Sequence, residues 1–246
     1  MASFTESLPA DLFDPTTLIS LASTVAILAV AYALSLWALP DRATTSGTQR
    51  FLFIWHAFDA LLHFILEGSF LYHCFFSWVD IADVADPSSL APSPSNYLGY
   101  QGRAYGPQAG GDNAFAQLWM VYANADWRWA GADLTIISLE LLTVLLAAPL
   151  ACLICYGLAR KDPRTNILMI VVATMELYGG FLTFCPEWLT GNQYLDSSNW
   201  MYLWLYLVFF NMLWVFVPAY VLLVAGLDVV DALRVRAEVQ AGKKAQ

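Results

Sequence analysis

Long apolar runs alternate with shorter polar segments along this chain of 246 residues. A window of about 19 residues, the length of helix that crosses a bilayer, finds five of these runs. They lie at residues 18–39, 51–76, 132–158, 166–185 and 200–227. Because each run is long enough to span the hydrocarbon core, the pattern predicts an all-α membrane protein, a bundle of five transmembrane helices.

Composition supports this fold class and excludes one class of partner. Apolar residues make up 59% of the chain and aromatic residues 15%, which is too hydrophobic for a soluble domain. The formal net charge is -9, so no basic surface could neutralise phosphates and we expect no nucleic-acid partner. Residues 1–17 contain no Lys or Arg, unlike the start of a cleaved signal peptide, so we expect the first run to remain as a helix.

One connection, residues 77–131, is much longer than the others. Its part from Asp80 to Gly111 is rich in Pro, Ser and Gly, which predicts an irregular excursion, either a lid or a decoration. After Asn113, bulky side chains recur at helical spacing. They predict an amphipathic helix at the membrane interface, carried by Phe115, Leu118, Trp119 and Tyr122.

Basic residues indicate the orientation in the membrane, because Lys and Arg are retained on the cytoplasmic side. Only Arg103 and Arg128 fall on the opposite side from the rest, so we expect a lumenal N-terminus and a cytosolic C-terminus. The others are Arg42, Arg50, Arg160, Lys161, Arg164, Arg234, Arg236, Lys243 and Lys244. The ending Lys243-Lys244-Ala245-Gln246 is a dilysine pattern typical of proteins returned to the endoplasmic reticulum, and the alternative is a solvated basic end without an address.

These observations divide the chain into four expected parts. A lumenal tail (1–17) precedes the first transmembrane helix (18–39). A four-helix domain (51–227) contains the long loop at 77–131. A cytosolic tail (228–246) follows it.

The second apolar run carries ionisable side chains where hydrocarbon is expected. His63 and Glu67 are four residues apart and therefore share one face of a helix. An ionisable residue at membrane depth costs roughly 2.5 kcal/mol or more on insertion scales, so such residues usually face a bundle interior and serve a function. The alternative is that Glu67 caps or snorkels at a helix end while His63 satisfies a hydrogen bond in the core.

Three further runs offer polar groups at similar depth. The third contains Glu140 and Thr143, three residues apart; the fourth contains Glu176 and Tyr178. The fifth presents Asn211 and Trp214, again three residues apart. Several such groups in one bundle predict an intramembrane cavity.

The residues of this cavity favour acid-base chemistry without a cofactor. The sequence has no nucleotide-binding loop, no haem or zinc spacing and no nucleophile elbow, so we expect neither a cofactor nor a metal. Protonation of an olefin gives a carbocation, which a carboxylate and indole faces stabilise in a dry pocket. The alternative without catalysis is a cavity that binds sterols or amphiphilic amines.

At this point five motifs together resemble the emopamil-binding protein family of sterol Δ8-to-Δ7 isomerases. The resemblance covers roughly residues 50 to 227, and no single motif carries it. In order they are His63-x-x-x-Glu67-Gly68-x-Phe70, Gln117-Leu118-Trp119-x-x-Tyr122-Ala123-x-x-Asp126-x-Arg128, Glu140-x-x-Thr143, Tyr178-Gly179 and Phe210-Asn211-x-x-Trp214.

The resemblance implies a five-helix protein of the endoplasmic reticulum whose cavity admits a sterol from the bilayer. It implies proton transfer by His63 and Glu67, cation stabilisation by Glu140, and a pocket completed by Thr143, Asn211 and Trp214. We expect the substrate also to contact Trp119, Tyr122, Tyr178 and Glu176. The implied reaction adds a proton at C9, forms a cation at C8 and removes a proton from C7.

Two features depart from the animal members of the family. The excursion from Asp80 to Gly111 is much longer here, and Glu176 stands where those members have a neutral amide. Fungal relatives resemble terpene or meroterpenoid cyclases, and other members bind sterol-like ligands without known catalysis. The expected partners are therefore a sterol or terpenoid lipid and the bilayer, with a homodimer as an open alternative.

Overall fold

The computed structural model of the chain describes residues 11–41 and 43–244. Within them, five helices are long and apolar enough to cross a membrane, which confirms the predicted all-α membrane bundle. They comprise Pro15–Ala38, Gly47–Phe76, Leu134–Arg160, Thr165–Leu189 and Met201–Lys243. The predictions that rest on residues 1–10, on Arg42 and on the last two residues of the dilysine pattern lie outside the described residues.

The first two spans begin at side-chain caps. Helix α1 (Pro15–Ala38) starts after Asp14, whose carboxylate accepts hydrogen bonds from the backbone amides of the first turn. Helix α2 (Gly47–Leu62) starts after Ser46, four residues earlier than its apolar run predicted, because a polar first turn is stabilised by this cap. The same span continues through a π-helical segment (His63–Glu67) into α3 (Gly68–Phe76).

A small structure of short strands and one helix separates the second and third spans, where the sequence predicted an irregular excursion. It consists of two antiparallel strand pairs, β1 with β4 and β2 with β3, followed by helix α4. The guanidinium of Arg103 lies 3.7 Å from the ring centre of Trp78 and 4.2 Å from that of Tyr100. The elements are β1 (Trp78–Asp80), β2 (Asn96–Tyr97), β3 (Tyr100–Gln101), β4 (Arg103–Tyr105) and α4 (Ala114–Ala123).

The third span has the same composite construction as the second. Helix α5 (Leu134–Leu142) is capped by Asp133 and passes through a π-helical segment (Thr143–Ala147) into α6 (Ala148–Arg160). A turn closed by Lys161 in the left-handed conformation then leads to the fourth span.

The last two spans extend beyond their predicted ends. Helix α7 (Thr165–Leu189) continues past residue 185, the predicted end of the fourth run, and includes Pro186 in its last turn. A π-helical segment (Met201–Phe210) leads into α8 (Asn211–Lys244), so the described part of the predicted tail continues the helix. Helix α8 packs along α7, and α2 packs between α1 and α6.

A buried ionic group fixes the segment after α4 to α7. The guanidinium of Arg128 makes two hydrogen bonds to the Asp126 carboxylate, at 2.9 and 2.7 Å, and donates to the carbonyl oxygen of Thr183 at 2.8 Å. The Glu187 carboxylate lies 3.8 Å from the same guanidinium. Because Arg128 and Asp126 are almost completely buried, neither charge has water as an alternative partner.

We expect Arg128→Met to lower the free energy of unfolding by about 3 kcal/mol or more, because it leaves Asp126 buried without a cation. Arg164→Met is the matched control, since Asp162-x-Arg164 repeats the spacing of Asp126-x-Arg128 with an exposed guanidinium. It should cost less than about 1 kcal/mol. Unfolding in detergent measures both; equal losses would show that burial does not distinguish the two pairs.

Candidate active site

A cavity of about 400 Å³ lies between the spans and is mostly apolar. That volume falls within the range of small-molecule sites. All ten residues singled out in the sequence line it. They are His63, Glu67, Trp119, Tyr122, Glu140, Thr143, Glu176, Tyr178, Asn211 and Trp214.

The imidazole of His63 lies between two carboxylates in the wall of the cavity. Its Nδ1 is 2.5 Å from Oε2 of Glu67, and its Nε2 is 2.9 Å from Oδ1 of Asp59. The second contact has the distance of an ion pair without the alignment of a hydrogen bond. All three side chains are buried, so both nitrogens of one imidazole face acidic groups away from water.

A threonine joins Glu67 to the second carboxylate of the cavity. Oγ1 of Thr143 is 2.6 Å from Oε2 of Glu67 and 3.0 Å from Oε2 of Glu140. A hydroxyl has one hydrogen to donate, whereas an ionised carboxylate only accepts. The same Oγ1 is also 3.0 Å from the backbone carbonyl oxygen of Glu140, so one hydroxyl connects Glu67 with both the carboxyl and the carbonyl of Glu140.

The indole of Trp214 closes another side of this group. Its Nε1 donates a hydrogen bond of 2.9 Å to Oδ1 of Asp59, the oxygen that also faces His63. The ring packs against Trp55 and Phe58, with centroids 5.4 and 6.1 Å away. Asp59 thus contacts both the imidazole and the indole.

Two π-helical turns place the reactive groups. The carbonyl of His63 accepts a hydrogen bond from the amide of Gly68, and that of Thr143 accepts one from Ala148, each five residues later. A π turn widens the helix by one residue and is frequent at functional sites. Both π-helical segments begin at a residue of the acid-base group and lie against each other.

The wall formed by α4 is aromatic. Trp119 stacks on Trp129 with centroids 4.9 Å apart, and its Nε1 donates to Oγ of Ser69 at 3.0 Å. The phenol oxygen of Tyr122 accepts a 3.2 Å hydrogen bond from the amide of Asn211. Burial raises the pKa of Tyr122, so the phenol remains neutral.

The two α7 residues have different environments. Both carboxyl oxygens of Glu176 are buried with no hydrogen-bond partner among the described residues, and the side chain lies beside Asp59 and Trp55. Tyr178 is 69% exposed and lies at the rim. Glu176 therefore adds a third carboxyl group to the cavity lining.

From the sequence alone, His56 and Asp59, one or two turns before His63, are expected to pair with each other or with the basic first loop; that pairing is wrong. Nδ1 of His56 is 2.7 Å from the carbonyl oxygen of Leu52, and Asp59 contacts His63 instead. The available signal was the four-residue spacing between Asp59 and His63, the same as between His63 and Glu67. The contribution of α1 to the cavity, through Ser20, Leu21 and Thr24, was also missed.

Chemically, the site combines a proton-transfer group with surfaces that suit a cation. His63, Glu67 and Glu140 form a connected chain of proton donors and acceptors through Thr143. The apolar lining keeps water away and strengthens electrostatic interactions. Such a site can protonate an apolar molecule and stabilise the resulting positive charge.

Comparison with known proteins gives consistent matches. The family model described as EBP, EXPERA (EXPanded EBP superfamily), matches residues 114–225. A 3-beta-hydroxysteroid-Delta(8),Delta(7)-isomerase of Cavia porcellus is 29% identical over 191 residues, covering 76% of this chain and 70% of the relative. A probable enzyme of the same name from Oryza sativa subsp. japonica is 27% identical, covering 75% and 71%. An isomeliandiol synthase of Ailanthus altissima is 23% identical, covering 74% and 72%.

Proposed function

We propose that the chain, which is similar to the emopamil-binding protein family, is an isomerase that moves a ring double bond of a sterol from Δ8 to Δ7. The observation that carries the proposal is the imidazole of His63 in contact with Glu67, which Thr143 connects to Glu140 inside an apolar cavity. Relatives named as Δ8-Δ7 isomerases cover about three quarters of the chain.

The proposed reaction begins and ends with proton transfer at the group formed by His63 and Glu67. A proton from this group forms a new C–H bond at C9 with the electrons of the double bond, which leaves a cation at C8. Loss of the C7 proton to the same group returns two electrons as the C7–C8 double bond. The oxidation state of the sterol is unchanged, so the reaction needs no redox cofactor.

Glu140 and Trp214 are proposed to stabilise the cation. The Glu140 carboxyl is buried in the cavity lining, and Trp214 presents its indole to the same space. A cation over an indole face gains about 2 kcal/mol or more when desolvated. A protonated amine at this place resembles the intermediate, so a cationic amphiphile should bind more tightly than the neutral sterol.

The other lining residues are proposed to shape the pocket around the sterol. Trp119 and Tyr122 present aromatic surface, and Asn211 is held by Tyr122 and by backbone carbonyls of the preceding π-helical segment. Tyr178 at the rim and Glu176 inside are proposed to contact the ligand as it enters and binds.

Two other functions would use the same cavity. A terpene or meroterpenoid cyclase would protonate an open polyene, and a binding protein would hold a sterol or amphiphilic amine without turnover. The similarity to Δ8-Δ7 isomerases favours the isomerase over both.

We expect membranes containing the protein to convert a Δ8-sterol to its Δ7 isomer, because the cavity can both donate and recover a proton. Sterol analysis by mass spectrometry and NMR measures the product, and membranes lacking the protein are the control. Unchanged Δ8-sterol together with cyclisation of a polyprenyl substrate would make the protein a cyclase. If the membranes carry out neither conversion but bind a cationic amine tightly, the protein is a binding protein without catalysis.

We expect Glu67→Gln and His63→Ala each to lower turnover by about 100-fold or more, because an amide or a methyl group cannot transfer the proton. Thr174→Val, on the exposed side of α7, is the control and should leave turnover unchanged. Protein abundance and turnover are measured in the same membranes. Normal turnover by Glu67→Gln would remove that carboxyl from the mechanism.

The proposed location is the endoplasmic reticulum, with a lumenal N-terminus and a cytosolic C-terminus. Arg50 lies in the first turn of α2, and Arg160, Lys161 and Arg164 lie at the turn between α6 and α7. The side chain of Gln49 contacts the carbonyl of Leu158, so these basic residues share one side of the bundle, as the retention of basic residues in the cytosol requires. The strand pairs and α4 would then cover the lumenal side of the cavity. We also propose that the protein forms a homodimer, which cross-linking in membranes would detect.

A further inference from the structure

Asp59 occupies a position that the family motifs do not include, yet it lies at the centre of the site. It is completely buried, and its Oδ1 is 2.9 Å both from Nε2 of His63 and from Nε1 of Trp214. Asp59 does not itself line the cavity. Asp59 therefore contacts two side chains that line the cavity, although its own side chain does not line it.

Among the described residues, no Lys or Arg side chain forms an ion pair or a hydrogen bond with Asp59. Its other neighbours include Glu176, His56 and Cys155. A carboxylate that is completely buried is stable only if it is paired or hydrogen-bonded. The imidazole of His63 and the indole N–H of Trp214 meet this requirement at Oδ1, whereas Oδ2 is buried without a hydrogen-bond partner among the described residues.

We propose that Asp59 is a positioning residue of this site, which holds the imidazole that transfers the proton and the indole that faces the cation in one fixed arrangement. The inference rests on the proposed function. It assigns to Asp59 an effect on both steps, protonation and cation stabilisation, through one oxygen atom.

The effect on His63 follows from the two nitrogens of its ring. A carboxylate at Nε2 orients the imidazole so that Nδ1 points at Glu67. Without it, the ring can rotate away from Glu67, and the positive charge of the imidazolium has one neighbouring carboxylate instead of two. The proton would then be delivered from a less favourable position.

The effect on Trp214 follows from the direction of its N–H group. The hydrogen bond to Asp59 fixes one edge of the indole, and the contacts with Trp55 and Phe58 fix its plane. The indole face can then remain beside the cavity while a ligand binds. Removing the acceptor would leave a buried N–H unpaired and release the ring.

Three variants separate these effects. Asp59→Asn keeps an oxygen that can accept from Trp214 but removes the charge that faces His63. Asp59→Leu removes both, and Trp214→Phe removes the indole N–H while keeping an aromatic ring. Cys155→Ala is the packing control, because its thiol contacts the carbonyl of Phe53 on the same helix and does not line the cavity.

We expect Asp59→Asn to lower kcat for the Δ8-sterol by about tenfold or more, the effect of losing one hydrogen bond or contact with a charged group. The KM for the sterol should stay the same, because the contact acts on the transition state and not on sterol binding. Cys155→Ala should change neither constant. A rise in KM with unchanged kcat in Asp59→Asn would overturn the proposal, as would unchanged constants.

The contact with Trp214 is tested by the binding of a cationic amphiphile, which needs no turnover. Asp59→Leu and Trp214→Phe should each weaken amine binding. Because both changes break the same hydrogen bond, the double variant should bind the amine as tightly as the single variant with the lower affinity. Additive losses would show that Asp59 does not act through the indole and would overturn this part. If Asp59→Leu does not accumulate, Asp59→Ala replaces it in the same double-mutant cycle.

These measurements also distinguish the positioning role from the proposed function. Wild-type protein that binds amines but leaves the Δ8-sterol unchanged would contradict the isomerase function. The amine cycle would still report whether Asp59 and Trp214 are coupled. If the Asp59 and Trp214 variants are coupled in amine binding while the wild type leaves the sterol unchanged, the positioning role stands and the isomerase function fails.

Discussion

The structure depends on one constraint, that ionisable side chains buried among apolar helices must satisfy each other. His63 has a carboxylate at each ring nitrogen, and Thr143 extends this group to Glu140 on a different span. Each of these groups alone would cost several kcal/mol in hydrocarbon. Their mutual contacts therefore require the second, third and fifth spans to meet in one arrangement.

The same constraint accounts for the irregular helices. A regular α-helix hydrogen-bonds every amide four residues back, which fixes where its side chains point. The π turns after His63 and Thr143 shift that direction by inserting a residue at the acid-base group. The helix thereby gives up regular hydrogen bonds at the two places where side chains from separate spans must meet.

The energetic logic of the proposed reaction follows from this environment. A cation in an apolar cavity is unfavourable unless the stabilising groups are already in place, because the surrounding lipid cannot reorient around it. Glu140 and the indole of Trp214 are fixed by contacts made before any ligand binds. The protein therefore supplies in advance the electrostatic environment that water would otherwise provide.

The sequence predicted the number of spans and ten of the residues that line the cavity, because hydrophobic length and charged residues in apolar runs are local signals. It did not predict the strand pairs between residues 78 and 105, whose pairing depends on contacts across a Pro- and Gly-rich segment. It also missed the contact of Asp59 with His63, since the choice between His56 and His63 as its partner depends on rotamers and on Trp214 from another span. Contacts between distant parts of the chain are what the local pattern leaves undetermined.

The central claim, that the cavity adds a proton to a sterol double bond, is tested most directly by isotope incorporation. The protein is incubated with a Δ8-sterol in deuterium oxide, and the product is isolated for mass spectrometry and NMR. Because the acidic groups exchange their protons with solvent, the account predicts one non-exchangeable deuterium at C9 of the Δ7 product. A Δ7 product without deuterium at C9 would contradict proton transfer from the exchangeable groups of the site.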